Sequence, residues 1–100
     1  MQCLDFTEAG CGLLVKRSAH QREQQCVPAD TGDVFGIMTG KEFFEDEGRV
    51  VCYPLVHWED QVLASSCHPI NVVPARPHAL PTITLADAPS RHPKRDELIL

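Results

Sequence analysis

Short apolar runs separated by turn residues cover most of the chain, and they favour β-strands over helices. These runs are QCLDF at 2–6, GLLVKR at 12–17, DVFGIMTG at 33–40, RVVCYPLVHW at 49–58, QVLASS at 61–66, INVVP at 70–74 and TITL at 82–85. The polar stretch SAHQREQQ, at 18–25, has no apolar stripe, so we expect a connector with at most one or two helical turns. The pattern therefore predicts an all-β fold.

Turn residues predict how the strands are joined. Gly10 and Gly12 lie between the first two runs, which predicts an N-terminal β-hairpin. The stretch KEFFEDEG, at 41–48, predicts a charged loop after a strand that ends at Gly40. The carboxylates of this loop lack the spacing of a calcium-binding loop, and we interpret them as a solvated acidic surface.

The run at 49–58 is the strongest strand in the chain, because both of its faces are apolar. Val51, Tyr53 and Leu55 alternate with an equally apolar set on the other face. In so small a domain, this predicts a barrel wall that also meets another subunit. We therefore expect a homo-oligomer formed through this strand or through the strand at 82–85.

The strands from residue 33 to residue 74 follow one another without an intervening amphipathic helix, and closing such a sheet protects its edges. The predicted architecture is a small SH3-like barrel over about 26–77, with the N-terminal hairpin before it. Residues 1–85 form a single β domain in this prediction. Proline and polar residues after residue 85 predict a flexible tail at 86–100.

Composition and charge exclude several classes of protein. With 100 residues, 43% of them apolar, the chain has material for one small core. The net charge of −5 and the scattered basic residues argue against nucleic acid as a partner. No apolar run approaches the roughly 20 residues of a membrane helix, and no basic leader precedes an apolar segment. The expected location is cytoplasmic, with no membrane partner.

The five cysteines are read as reduced thiols that pack as small hydrophobic residues. A zinc site built from Cys52, His57, Cys67 and His68 has poor spacing, because the only close pair is adjacent in sequence. On a strand, Cys67 and His68 would point to opposite faces, which also argues against a Cys-His nucleophile. The sequence therefore assigns no metal, no cofactor and no catalytic residue.

The segments GDVFGIMTG, GRVVCY and HPINVVP, within residues 32–74, resemble segments of the plasmid-borne type II dihydrofolate reductases in the same order. The resemblance implies an SH3-like barrel that assembles as a homotetramer around one central pore, where a nicotinamide cofactor and folate bind. The pore segment Gln-Ile-Tyr-Pro of that family corresponds to residues 71–74, which begin with Asn71 and have Val73 in place of the tyrosine. The basic residues of the family correspond to Ile37 and Met38.

Aromatic residues are the remaining candidates for a binding site. Phe43 and Phe44, in the predicted acidic loop, and Trp58, at the end of the central strand, would flank a groove of the kind that binds proline-rich peptides. Tyr53 and Asn71 complete the candidate set for a ligand or partner. The competing interpretation places Phe44 and Trp58 in the core or at a subunit interface.

The sequence thus favours a non-enzymatic binding or interaction module that self-associates and binds a peptide or small molecule. The alternative is an oligomeric, pore-type reductase with Asn71 at the pore.

Overall fold

A computed structural model of the chain describes residues 1–26 and 32–85, and β-strands dominate these residues, which confirms the all-β prediction. The strands are β1 Gln2–Leu4, β2 Leu14–Arg17, β3 Phe35–Asp46, β4 Arg49–Trp58, β5 Ser65–Ser66, β6 Val72–Pro74 and β7 Thr82–Thr84. A six-residue helix, α1, spans Ala19–Gln24, and a 3-10 turn, η1, spans Pro69–Asn71. The predicted tail at 86–100 lies outside the described residues.

The strands form two antiparallel sheets. In the five-stranded sheet the order is β5-β4-β3-β2-β6, so the chain winds from β2 to β5 and then returns to place β6 beside β2. The second sheet pairs β1 with β7, and the backbone groups of Met1 and Leu85 extend this pairing with hydrogen bonds of 2.7 and 2.9 Å. The two ends of the described chain therefore lie side by side.

The predicted N-terminal hairpin is wrong. β1 pairs with β7, whereas β2 lies between β3 and β6 in the other sheet. Between the two strands, Phe6 and Ala9 are buried in the main core, and Gly12 donates a backbone hydrogen bond to Met38 (2.7 Å). Burial of Phe6 and Ala9 anchors the connection to the core, which separates β1 from β2.

The loop predicted at 41–48 is also wrong, because β3 continues through it to Asp46. The strand passes a register shift between Met38 and Gly40 and then pairs with β4 along its whole length. Only Glu47 and Gly48 form the turn, and both have positive φ values, 49° and 77°. A two-residue turn of this type matches the twist of the strands that it joins.

The predicted strand at 61–66 is shorter than expected. Only Ser65 and Ser66 pair with β4, while Val62 and Leu63 are 89% and 77% exposed in the preceding loop. The polar connector does form a short helix. Ser18 caps it by accepting a hydrogen bond from the backbone N–H of Gln21 (3.2 Å), which satisfies a donor that the helix itself leaves free.

Two clusters of buried side chains hold the sheets together. The main core contains Phe6, Val15, Met38, Val56 and Trp58 on the inner face of the five-stranded sheet. The second core joins the other face of β4 to the β1–β7 sheet, and its members include Cys3, Val51, Tyr53 and Leu85. One face of β4, the strand that the sequence favours for self-association, is therefore covered around Val51 and Tyr53 by β1, β7 and the adjoining Leu85.

Candidate functional site

An open groove crosses the outer face of the five-stranded sheet, where the β1–β7 sheet does not cover it. Its volume is about 400 Å³, within the range of roughly 300–1,000 Å³ that is usual for ligand pockets. We call it the outer groove, and it is lined by Leu14, Phe35, Gly36, Ile37, His57, Trp58, Glu59 and Gln61.

Strand alternation places the apolar side chains of the outer groove. On β3, Gly36 and Met38 face the main core, so Phe35 and Ile37 face outward and are 37% and 42% exposed. Ile37 lies between two cross-strand neighbours, Leu14 on β2 and His57 on β4. Three strands thus contribute one continuous, mainly apolar surface.

Polar groups lie at one end of this surface. A carboxylate oxygen of Glu59 accepts a hydrogen bond from the backbone N–H of Phe35 (2.8 Å), and the His57 Nε2 atom is 3.1 Å from the backbone oxygen of Gln61. The end of the outer groove therefore carries an acidic side chain and an imidazole beside an apolar floor.

Trp58 is held in place by a charged pair. The guanidinium carbon of Arg17 lies 4.8 Å from the centre of the Trp58 ring, within cation–π distance. Both terminal nitrogens of Arg17 donate to the carboxylate of Asp60, at 2.9 and 3.1 Å, and this bond is the main reason that the pKa of Asp60 is lowered. The bidentate pair orients the guanidinium over the indole on the inner face of the sheet, away from the exposed side chains of the outer groove.

A further groove, of about 560 Å³, lies next to Arg17 and Arg22. Both cations form ion pairs, Arg17 with Asp60 and Arg22 with Asp33. The guanidinium groups are already neutralised by carboxylates, so this groove is a weaker candidate for an anionic ligand.

The predicted placement of the aromatic residues is wrong in part. Phe43 and Phe44 lie on β3 rather than in a loop, Phe43 being 54% exposed and Phe44 partly buried in the second core. Trp58 belongs to the main core and lines the outer groove at the other end of the hairpin. The pair Phe43–Phe44 therefore does not share a groove with Trp58.

Tyr53 is a core residue. It is 4% exposed, and its ring contacts Phe44 and His68 edge-on, with centroid distances of 4.6 and 5.1 Å. Burial, followed by the nearby negative charge of Asp46, raises the pKa of Tyr53 to about 12. A covered, neutral phenol is poorly placed to contact a ligand.

Unfolding at alkaline pH tests the burial of Tyr53. The Cys3 thiol ionises in the same pH range, since burial and the charge of Asp5 raise its pKa to about 11. Both groups lose their protons more readily in the unfolded chain. The stability that they contribute is therefore complete below about pH 9 and is lost as the pH rises through 11 and 12. In urea unfolding from pH 8 upward, we expect Tyr53→Phe to lose stability less steeply above about pH 10 than the wild type. Equal slopes would show that Tyr53 ionises in the folded chain as it does in the unfolded one.

Asn71 lies in η1 rather than on a strand. Its backbone N–H donates to the His68 carbonyl (2.9 Å), and its carbonyl accepts from Ser18 (3.0 Å). Its side-chain Oδ1 atom is buried and has no hydrogen-bond partner among the described residues. Asn71 therefore joins η1 to the start of α1, and it is separate from the aromatic candidates.

The residues around Asn71 have structural functions. The His68 Nδ1 atom accepts a hydrogen bond from the Ile70 N–H (3.0 Å) and caps η1. Cys3 and Cys52 are buried as expected, whereas Cys11 and Cys26 are exposed, so the prediction that all the thiols pack in the core is wrong for these two. Within residues 1–26 and 32–85, no group of three histidine, cysteine or acidic side chains is placed to hold a metal ion.

Of the predicted site residues, the described structure brings Phe44 and Tyr53 into contact with each other. Phe35 and Leu14, which line the outer groove beside Trp58, are missed. The order Phe35, Gly36, Ile37 could have indicated this surface. Successive strand residues point to opposite faces, so a glycine that faces the core leaves two large apolar side chains on the outer face.

Comparisons with protein-family models, with curated proteins and with solved structures find no match to this chain. No helix in the described part of the chain has the length and apolar character needed to cross a lipid bilayer.

Proposed function

We propose that this chain is a non-enzymatic binding module and that the outer groove is its ligand-binding surface. The observation that carries the proposal is the concave apolar surface of Leu14, Phe35 and Ile37, which the β1–β7 sheet leaves open. Exposed, concave apolar surface of this kind is typical of ligand-binding sites.

We also propose that the five-stranded sheet forms an SH3-like barrel. Two features support it. The strands β2 to β5 follow one another as a meander, and β6 returns to pair with β2 after the 3-10 turn η1. The sheet begins at Leu14, earlier than the boundary near residue 26 that the sequence suggests.

The proposed ligand is a proline-rich peptide with a basic residue beside its apolar part. Phe35 supplies exposed aromatic surface, beside Leu14 and Ile37, of the kind on which polyproline II helices pack. Glu59 lies at one end of the outer groove, and the whole chain carries a net charge of −5, which favours a cationic ligand over an anionic one.

Ile37→Glu tests the outer groove directly. It places a carboxylate between Leu14 and His57, so we expect a synthetic arginine-flanked Pro-x-x-P peptide to bind at least about tenfold more weakly. Trp58 is the only tryptophan, and its fluorescence during peptide titration provides the measurement. Because Ile37 is 42% exposed, the urea midpoint should change little.

Val50→Gln is the matched control, since Val50 is an exposed apolar residue of β4 at the far end of the hairpin. It should bind the peptide like the wild type. No fluorescence change in the wild type at millimolar peptide, or equal binding by the Ile37 variant, would contradict the proposal.

The alternative function, an oligomeric pore-type reductase, rests on the resemblance of residues 32–74 and has Asn71 at the pore. The same fluorescence assay distinguishes it. Quenching of Trp58 by a reduced nicotinamide cofactor, together with reductase turnover, would favour the enzyme over the binding module.

A further inference from the structure

The edge of β3 is open from Lys41 onward. β2 pairs with β3 only as far as Ile37, and beyond it the Met38 carbonyl accepts a hydrogen bond from the Gly12 backbone N–H (2.7 Å) and the Thr39 carbonyl accepts one from the Cys11 Sγ atom (3.4 Å). From Lys41 to Asp46, no strand within the described residues pairs with that edge of β3. An open strand edge carries a row of backbone donors and acceptors that a further strand can use.

The turn at the tip of the hairpin decides which backbone groups face this edge. Asp46 and Arg49 flank the two-residue turn, where the first and last residues of a β-turn share a hydrogen bond. Hydrogen-bonded and non-bonded pairs alternate along an antiparallel ladder, so every second residue of β3 directs its N–H and C=O away from β4. The residues with this orientation are Lys41, Phe43 and Glu45. Lys41 lies opposite Pro54, which has no N–H to donate, and this agrees with the assignment.

The side chains of the same three residues share one face of the hairpin. Phe43, in the middle, is 54% exposed, and Val50, which pairs with Glu45 across the hairpin, is 70% exposed. Lys41 and Glu45 carry opposite charges on either side of Phe43. Charged residues on an edge usually oppose pairing with another strand, but these two are placed symmetrically about one apolar residue.

We propose that two copies of this chain associate by antiparallel pairing of their β3 edges, in the register that places Phe43 opposite the partner's Phe43. In this register Lys41 lies opposite the partner's Glu45, and Glu45 lies opposite the partner's Lys41. Each of the three positions forms a hydrogen-bonded pair, so the two hairpins become one continuous four-stranded sheet. Shifting the register by two residues in either direction loses both charge pairs and the aromatic pair.

The pairing surface differs from the surfaces on β4 and β7 that the sequence favours for self-association. It is also independent of the outer groove, which lies at the other end of the hairpin around Ile37 and Trp58. A contact of three residue pairs is small, so the dimer is expected to be weak and to depend strongly on protein concentration.

Sedimentation equilibrium from about 10 µM to 1 mM measures the association. The wild type should rise toward twice the 11.1 kDa of one chain. Lys41→Glu places two glutamates opposite each other at both ends of the contact, and Glu45→Lys places two lysines there. Each single variant should dimerise at least about tenfold more weakly.

Two rescue experiments separate the pairing from any effect of these variants on the fold. The double variant Lys41→Glu/Glu45→Lys restores opposite charges in exchanged positions and should recover the dimer. An equimolar mixture of the two single variants should form a heterodimer, because Lys41 and Glu45 then lie opposite complementary charges across the contact. Lys41→Glu also removes the hydrogen bond that the Lys41 ammonium donates to the backbone oxygen of Thr7 (2.6 Å). The Lys41→Glu chain lacks this bond both alone and in the mixture, so recovery of the dimer in the mixture reports the charge pairs across the contact.

Amide hydrogen exchange tests the register. The amides of Lys41, Phe43 and Glu45 should exchange more slowly at high than at low protein concentration.

A wild type that remains a monomer throughout the concentration range overturns the proposal. Single variants that dimerise as well as the wild type, or a mixture that shows no recovery, also overturn it. Ile37→Glu should leave the dimer unchanged, so failure of the peptide-binding proposal would not be confused with failure of this one.

Discussion

Replacing Gly36 with alanine is expected to lower the free energy of unfolding by about 1–3 kcal/mol, the usual cost of overpacking a core. A Cβ atom at this position would lie 2.6 Å from Val56 Cγ1 and 2.8 Å from Trp58 Cε3. Both neighbours are buried, at 0% and 3% exposure, and neither a valine methyl nor an indole ring can move away without disturbing the main core. The measurement is urea unfolding followed by far-ultraviolet circular dichroism.

Gly40→Ala, on the same strand, is the matched control. Its Cβ would make ordinary contact with Leu55, the nearest atom being 3.4 Å away. The substitution also restricts the unfolded chain, so we expect a change between zero and a gain of about 1 kcal/mol. If the two alanine variants unfold at the same urea concentration, the close approach of β3 to β4 at Gly36 is not present in solution.

Phe6→Ala is expected to have the larger effect, a loss of about 3–5 kcal/mol. Phe6 is fully buried although it lies in the connection between β1 and β2, and it packs in the main core with Val15, Met38 and Val56. Its removal leaves a cavity and also releases the connection from the sheet. A loss of this size is a large part of the stability of a small domain, so Phe6→Leu serves as a milder second variant.

Phe43→Ala, measured at low protein concentration, is the control for residue type. Phe43 is 54% exposed, and its truncation should change the free energy of unfolding by less than about 0.5–1 kcal/mol. Equal losses in Phe6→Ala and Phe43→Ala would contradict the burial of Phe6.

The fold class and most of the strands could be predicted from the sequence because period-two alternation is a local signal. β4 is the clearest case: the run RVVCYPLVHW and the observed strand have the same limits. The partners of β1 and β2 could not be predicted in this way. Two apolar runs separated by glycines are also the pattern of a hairpin. What keeps β1 and β2 apart is the burial of Phe6, between them, in the main core, and that depends on the tertiary structure. Pairing between the first and last strands has no local signal.

The candidate site was less predictable because it depends on which apolar side chains remain uncovered. Trp58 was identified, yet its neighbours in the outer groove come from β2 and β3, and their proximity depends on the strand order. Their aromatic character alone makes Phe44 and Tyr53 predicted binding residues. The β1–β7 sheet buries Tyr53 and partly buries Phe44, and nothing in the local pattern around 41–53 indicates this cover.

The pairing of β1 with β7 has a consequence for the chain as it leaves the ribosome. Gln2 pairs with Thr84, so β1 has to wait while about 80 further residues are translated before it finds its partner. At ordinary rates of translation this delay is roughly 4–16 s. Once translated, Val51 and Tyr53 lack their cover for the last roughly 2–6 s of that interval, which makes the nascent chain, rather than the folded protein, the form most exposed to aggregation and most dependent on chaperones.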